Sequence, residues 1–405
     1  MAVAAGACGG DSGLPDGDPL APATELTIVA HPDDDLTFLQ PDLYDAVNRG
    51  TGATTVYVTI GEGAGDVAAA EARYEGAKSA YATIAGDHDW SCGWIALGAI
   101  NALHCRLAAE NISLVFLGYP EGGDDGAAAN SLLQLWEGNA TDVPAVARRA
   151  STYSQTSLIQ VVADIIDATA PATIRTLEVA STHGPDHSDH MLVGALAVLA
   201  TARSSRAPAL VSYRGDNTAS EPANTDPALY PRSADLLLRY DACATGCGRC
   251  GDACAADQLD ADHSTWLARR YAIDVRRTGN GTLQQGTGCI IATAAGTNAV
   301  IGDCAVAPVW QLDAQGTLRT AGNLCLQVFL TGEITVAACG ADAGLAGRFF
   351  LDDDGHLWSG VVPAAQDDMA LAHLYCVGVA GGRPRAGLCG AARAPSWTFT
   401  ATTAR

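Results

Sequence analysis

Apolar and polar positions divide the chain into stretches with different rhythms. From residue 24 to about residue 215, short apolar runs alternate with longer segments of helical character. Glu25-Leu-Thr-Ile-Val-Ala30, Thr54-Thr-Val-Tyr-Val-Thr-Ile60, Ser113-Leu-Val-Phe-Leu117 and Thr173 to Val179 read as buried strands. Asp42 to Arg49 reads as a helix ended by Gly50, and Ala68 to Ile84 as an Ala-rich helix closing before Gly86. Leu158 to Ala168 places Ile159, Val162, Ala163 and Ile166 on one helical face, and Met191 to Ala202 is a further helix. Strands alternating with helices predict an α/β fold with a mostly parallel sheet. Ligands of such sheets sit at the carboxyl ends of the strands. His31 follows the first strand, Glu62 the second, and the segment His183 to His190 the fourth. These three segments should therefore converge on one rim.

Residues 216 to 275 read as a transition, with Pro, Asn and Asp early and cysteines later. From Arg276 the pattern changes to short apolar runs, glycines and turns, and a repeat emerges. Gly281-Thr-Leu283 precedes Cys289, Gly316-Thr-Leu318 precedes Cys325, and Gly355-His-Leu357 precedes Cys376. A second cysteine follows each first one after 15, 14 and 13 positions. Trp310, Phe349-Phe350 and Trp397 close the units. Three β-rich units of about 40 residues fit a threefold β-trefoil, with a non-repetitive β-sandwich as the alternative. The expected organisation is a tether over 1–23, an α/β domain over 24–275 with a Cys-rich segment at 241–256, and an all-β domain over 276–405.

Composition narrows the class. Of 405 residues, 48% are hydrophobic and 17% charged, enough apolar surface to bury real cores. Lys and Arg number 23 against 45 Asp and Glu, a formal charge of -22. A surface so acidic repels phosphate backbones and anionic membranes, so nucleic acid is not an expected partner. No apolar run reaches the ~20 residues of a membrane span.

Thirteen cysteines fall into groups: Cys92 with Cys105, the cluster Cys243, Cys247, Cys250 and Cys254, and the pairs Cys289/Cys304, Cys325/Cys339 and Cys376/Cys389. Cys8 is left over. Such pairing implies an oxidising compartment, and hence a secreted or cell-envelope protein. The cluster fits either two disulfides or a closed structural zinc site, and export favours disulfides. Neither arrangement makes it catalytic. Met1-Ala-Val-Ala-Ala-Gly-Ala-Cys8 places small residues before a cysteine, as at a bacterial lipoprotein cleavage site. Ala5 stands where Leu is usual. A lipid anchor at Cys8 and an ordinary disordered N-terminus both fit, and Asp11 to Ala23 reads as a flexible tether.

The candidate chemistry lies on the rim. His31 and Asp34 are three apart on a loop stiffened by Pro32, and His190 belongs to the same rim. Two histidines and one carboxylate with an open position are the ligand set of a catalytic zinc ion. Such an ion lowers the pKa of bound water to about 7 and polarises a carbonyl. Asp33 could take the proton from that water. His187 lies three residues before His190, with Asp189 next to the latter, and one of the two histidines can bind the metal while the other, charged, stabilises an oxyanion and protonates a leaving amine. Taken singly, each segment also reads as a helix cap or a polar loop. His183 is a spare that lines or supports the site. The loop Leu117 to Gly126, with Glu121, forms part of the pocket wall.

Ala30-His-Pro-Asp-Asp-Asp35 resembles the Ala-His-Pro-Asp-Asp-Glu signature of the PIG-L/LmbE-like family, the GlcNAc-phosphatidylinositol de-N-acetylase superfamily. His187-Ser-Asp-His190 resembles its His-x-Asp-His motif, Thr59-Ile-Gly-Glu62 its intervening loop, and Arg73-Tyr-Glu75 its Arg-containing helix. The resemblance covers residues 24 to 215. It implies a Rossmann-like fold with helices on both faces of the sheet and zinc-dependent removal of an N-acetyl group, usually from glucosamine. It places metal ligands at His31, Asp34 and His190, a general base at Asp33, a second catalytic histidine at His187, and a substrate contact at Arg73. Glu62, Glu121 and His183 are the remaining substrate-side candidates, and Asp189 joins the catalytic group. Asp35 replaces the usual Glu.

The three C-terminal units resemble a ricin-type β-trefoil, a fold often used to bind sugars. Asn323-Leu-Cys-Leu-Gln-Val328 is the clearest unit, with Gln327 where sugar-binding members carry Asp. Carbohydrate binding and a stabilising spacer are both open there. The expected activity is hydrolysis of the N-acetyl group of an N-acetylglucosamine-type sugar in a glycan or glycoconjugate. The alternatives are an amidase for a larger acyl group or a thiol conjugate, and a carbohydrate-binding protein with a decayed catalytic domain. The full set His31, Asp33, Asp34, His187 and His190 argues against decay.

Overall fold

The computed structural model describes residues 14–61, 66–149, 151–179, 183–276, 278–329, 331–340, 344–360, 375–388 and 396–400. The α/β part runs β1 (Glu25–Val29), α1 (Asp34–Phe38), α2 (Asp42–Asn48), β2 (Ala53–Thr59), α3 (Val67–Ala85), β3 (Ser91–Leu97), β4 (Ile100–Leu107), β5 (Ile112–Tyr119), α4 (Leu132–Trp136), β6 (Val143–Pro144), β7 (Thr152–Tyr153), α5 (Gln155–Thr169), β8 (Thr173–Leu177), α6 (Ser188–Arg203), β9 (Ala209–Tyr213), α7 (Tyr230–Ala244), α8 (Ala261–Trp266) and β10 (Ala272–Arg276).

Strands β9-β8-β1-β2-β5 are parallel neighbours, with Leu26 opposite both Thr54 and Ile174. Every residue of β1, β2 and β5 is buried, including the polar Glu25, Thr27, Thr54, Thr55, Thr59 and Ser113, so these strands lack the in-out alternation of a half-exposed strand. β4 and β3 add an antiparallel hairpin at one edge, stapled by the Cys92–Cys105 disulfide between directly paired residues. Helix α5 packs on α6, and α3 on α7. Gly76 permits the second packing, because a Cβ there would lie 2.7 Å from Tyr240.

Two sequence expectations are corrected in this part. Residues 216–275 are not a mere transition: α7 and α8 lie beside the rim of the sheet and help to form the candidate site. Residues 14–23, expected as a flexible tether, are held against the hairpin and the end of α5: Gly17 N–H donates to Trp94 O at 2.8 Å and Ala23 N–H to Thr169 O at 2.8 Å.

β10 pairs antiparallel with β9 and passes the sheet on to β18 (Phe349–Asp352), β19 (Leu357–Ser359), β20 (Tyr375–Ala380) and β21 (Arg383–Leu388), so the described sheet has 12 strands. The other C-terminal strands are β11 (Gly279–Gln285), β12 (Gly288–Ile291), β13 (Val300–Asp303), β14 (Trp310–Leu312), β15 (Leu318–Thr320), β16 (Leu324–Val328), β17 (Ile334–Ala338) and β22 (Thr398–Thr400). They form a second, eight-stranded sheet, a half-barrel. The repeat is visible in its packing. Trp310 Nε1–H donates to Ile290 O, and Trp397 Nε1–H donates to Val377 O, each 20 residues back and one past the first cysteine of its unit. The described strands divide their pairing between these two sheets, and they do not by themselves establish a closed threefold trefoil.

Cys243–Cys250 and Cys247–Cys254 are disulfides, as are Cys289–Cys304 and Cys325–Cys339. Cys8 and Cys389 lie outside the described residues. Among the described residues, no helix is long and apolar enough to cross a membrane.

Candidate metal centre and active site

His31 leaves the end of β1, and the chain turns at once into α1, with Asp33 at the cap position. Asp34 closes this turn, accepting the His31 backbone N–H at 2.7 Å. Behind it, the buried Asp35 accepts the hydroxyls of Tyr57 at 3.0 Å and Tyr81 at 2.7 Å, which ties the loop to β2 and α3. Gly61 lets Pro32 and Arg73 approach, since a Cβ there would lie 2.9 Å from Arg73 Cδ. Beyond β8, His187 caps α6, and His190 follows about one turn later on the same face.

Three donor atoms meet between these loops. His31 Nδ1 is 3.2 Å from Asp34 Oδ1, His190 Nε2 is 3.1 Å from Asp34 Oδ1, and the two ring nitrogens are 3.3 Å apart. Ligands at ~2.0–2.1 Å in a tetrahedron are separated by roughly 3.3 Å, so the triangle has the dimensions of one face of a zinc-type site. The far nitrogens are also provided for. His190 Nδ1 lies 3.0 Å from Asp186 Oδ1, and His31 Nε2 faces the buried Asp189 carboxylate at 3.7 Å. Carboxylates behind metal-ligating histidines fix the ring orientation and tautomer. His31, His187 and His190 also offer nitrogens that all lie within 4.8 Å of one another, a group that could hold a metal ion.

The electrostatics fit a cation. Burial would raise the Asp34 carboxyl, but His190 and His31 hold it far below the usual carboxylate range. Burial opposes charge on His31, yet Asp34 and hydrogen bonding with Asp189 and Asp34 push it up to about 10. His190 is raised as well, because Asp34 and Asp186 outweigh its burial.

Around it is a cavity of about 480 Å³ lined by Asp33, Arg73, Glu121 and His187, together with the ligand triangle. Burial, reinforced by Asp34, raises the Asp33 carboxyl and makes it a better base. His187 Nδ1 accepts the Asp189 backbone N–H at 3.1 Å, so the proton of the neutral ring is assigned to Nε2. That nitrogen lies 3.5 Å from Glu121 Oε1 and 3.6 Å from Asp124 Oδ1.

The structure thus brings together His31, Asp33, Asp34, Arg73, Glu121, His187 and His190. Asp189 sits behind His31 instead of on the cavity wall. His183 is turned away from the cavity, toward Glu178 at 2.5 Å and Asp354 of the C-terminal region at 3.7 Å. Glu62 lies outside the described residues.

Residues 26–201 match the PIG-L family, GlcNAc-PI de-N-acetylase. Over that stretch the chain is similar to a PIG-L domain. Such a domain implies a hydrolase of the deacetylase kind. Among solved structures, the conserved protein TT1542 from Thermus thermophilus is similar at 17% identity, over 62% of this chain and 92% of its own, with a TM-score of 0.33. No curated protein matches the chain.

Sequence reasoning missed Asp186 and the far wall of the cavity. Asp186 accepts the backbone N–H groups of His187, Gly215 and Asp216 in addition to facing His190. Its position beside a histidine motif was the available signal. The far wall comes from α7, α8 and the disulfide-bonded segment between them, including Tyr240, Asp241, Cys247, His263 and Trp266. It lies beyond the PIG-L match. Pro231 at the start of α7, followed by Leu236, Leu237 and Tyr240 at helical spacing, was its sequence signal.

Proposed function

We propose that this protein hydrolyses the N-acetyl group of an N-acetylglucosamine-type sugar in an extracellular glycan or glycoconjugate, with zinc held by His31, Asp34 and His190. The observation that carries this reading is the triangle of His31 Nδ1, Asp34 Oδ1 and His190 Nε2, open to a cavity that also presents Asp33 and His187.

When bound there, the ion supplies Lewis acidity toward the amide carbonyl and a lowered pKa for water. The chain's own groups do the proton work. Asp33, on the cavity wall, removes a proton from the attacking water as its oxygen bonds to the acetamide carbon. His187 Nε2–H hydrogen-bonds the developing oxyanion, and the proton taken up by Asp33 passes to the departing nitrogen as the C–N bond breaks. The products are acetate and the free amine. Asp186 and Asp189 are positioning residues, because they act through His190 and His31. Arg73 and Glu121 contact the sugar.

The disulfides are compatible with an exported protein, and we place the reaction outside the cytoplasm. The C-terminal strands would hold the enzyme against its glycan. Mass spectrometry of N-acetylglucosamine oligomers incubated with the purified protein tests the reading: free amines should emerge. Oligomers that stay fully acetylated, alongside turnover of larger N-acyl or thiol-conjugate amides, would contradict it.

A further inference from the structure

The far wall of the cavity holds an unexplained group. Asp241, on α7, is only 7% exposed and lines the cavity. Among the described residues its carboxylate has neither a hydrogen-bond donor nor an ion-pair partner; only its backbone carbonyl is used, by Thr245. A buried carboxylate is costly unless it is paired. Burial and the nearby Asp33 raise its pKa to about 6, with His263 opposing, so at neutral pH it is mostly charged and still unpaired. Carboxylates outnumber the cations around it: among the described residues the cavity wall carries seven carboxylates, one arginine, Arg73, and four histidines, of which His263 acts on Asp241 without forming an ion pair with it. The two disulfides Cys243–Cys250 and Cys247–Cys254 hold this wall in place at the end of α7.

We infer that Asp241 is a subsite for a protonated amine on the sugar neighbouring the scissile acetamide, so that the enzyme takes partly deacetylated, cationic amino-sugar chains and rejects anionic ones. The inference rests on the deacetylase reading above. The chemistry is self-consistent, because each turnover creates the kind of amine that this carboxylate would hold. It also sets this chain apart from the phosphate-bearing substrate in the family's name, whose negative charge this cavity would repel.

The test measures binding, so that it does not depend on turnover. Titration calorimetry of the full-length, metal-loaded protein would compare a glucosamine trimer with the matching glucose trimer, which carries hydroxyls in place of the amines. The wild type should bind the glucosamine trimer at least about tenfold more tightly, with the preference shrinking as salt rises. Asp241→Asn should bring the two within about threefold, and its melting temperature, which should not fall, reports that it is folded. Equal affinities in the wild type, or a preference that survives in Asp241→Asn, overturn the inference. Amine binding without acetate release would retain this subsite and refute the deacetylase reading instead.

Discussion

His190 Nδ1 lies 3.0 Å from Asp186 Oδ1, and this contact decides which ring nitrogen faces Asp34. With Nδ1–H committed to Asp186, Nε2 carries the lone pair a metal ion needs. Asp186 is itself held by three backbone N–H groups, so the ring cannot turn without breaking a network. Asp186→Asn should therefore weaken metal binding by about 10- to 100-fold, as loss of a supporting carboxylate does elsewhere. Competition against a chromogenic chelator measures this. Unchanged affinity would mean that Asp186 only shapes the loop.

Asp33 and His187 line the cavity without belonging to the ligand triangle. Asp33→Asn and His187→Ala should each lower kcat by about 10²-fold or more while leaving metal content near that of the wild type. A fall in activity that merely tracked lost metal would assign both residues to metal binding.

Asp35 supplies a pH signature. Burial raises its carboxyl from 3.8 to about 7, against the hydrogen bonds of Tyr81 and Tyr57. The folded chain thus keeps a proton that the unfolded chain releases near its ordinary carboxylate pKa. The stability this contributes is complete below the unfolded pKa and is lost as pH rises through the folded one. The unfolding free energy of the metal-free wild type, relative to Asp35→Asn, should fall between about pH 4 and pH 7 and then level off. A difference that is flat across this range would contradict the assignment.

Cys247 lines the cavity and pairs with Cys254. Replacing both by Ser should lower unfolding free energy by about 2–4 kcal/mol. It should also raise KM more than it lowers kcat, if the wall it fixes serves the proposed sugar and not the reacting atoms. A change confined to kcat would place the segment in the chemistry.

Much of this architecture was legible because local pattern and tertiary role coincide. The buried strands β1, β2, β5 and β8 are short segments rich in apolar and β-branched residues, and His31, Asp34 and His190 lie in compact motifs beside strand ends. Helix α7 was overlooked because its polar residues dilute its apolar face, and its packing depends on Gly76, distant in sequence. Asp241 carries no local pattern at all, and Asp186 has only its place beside a histidine motif. Each gains its meaning from partners, or from their absence, created by packing. His183 shows the converse: a histidine near the motif that the fold turns toward Glu178.

The most direct test of the central claim is a metal titration. The protein would be stripped with a chelator and zinc added back, while acetate release from an N-acetylglucosamine oligomer is followed. The rate should rise linearly and break at one equivalent per chain, with His190→Ala showing no recovery over that range. Full acetate release from the stripped protein, or equal recovery in His190→Ala, would contradict a metal centre at His31, Asp34 and His190.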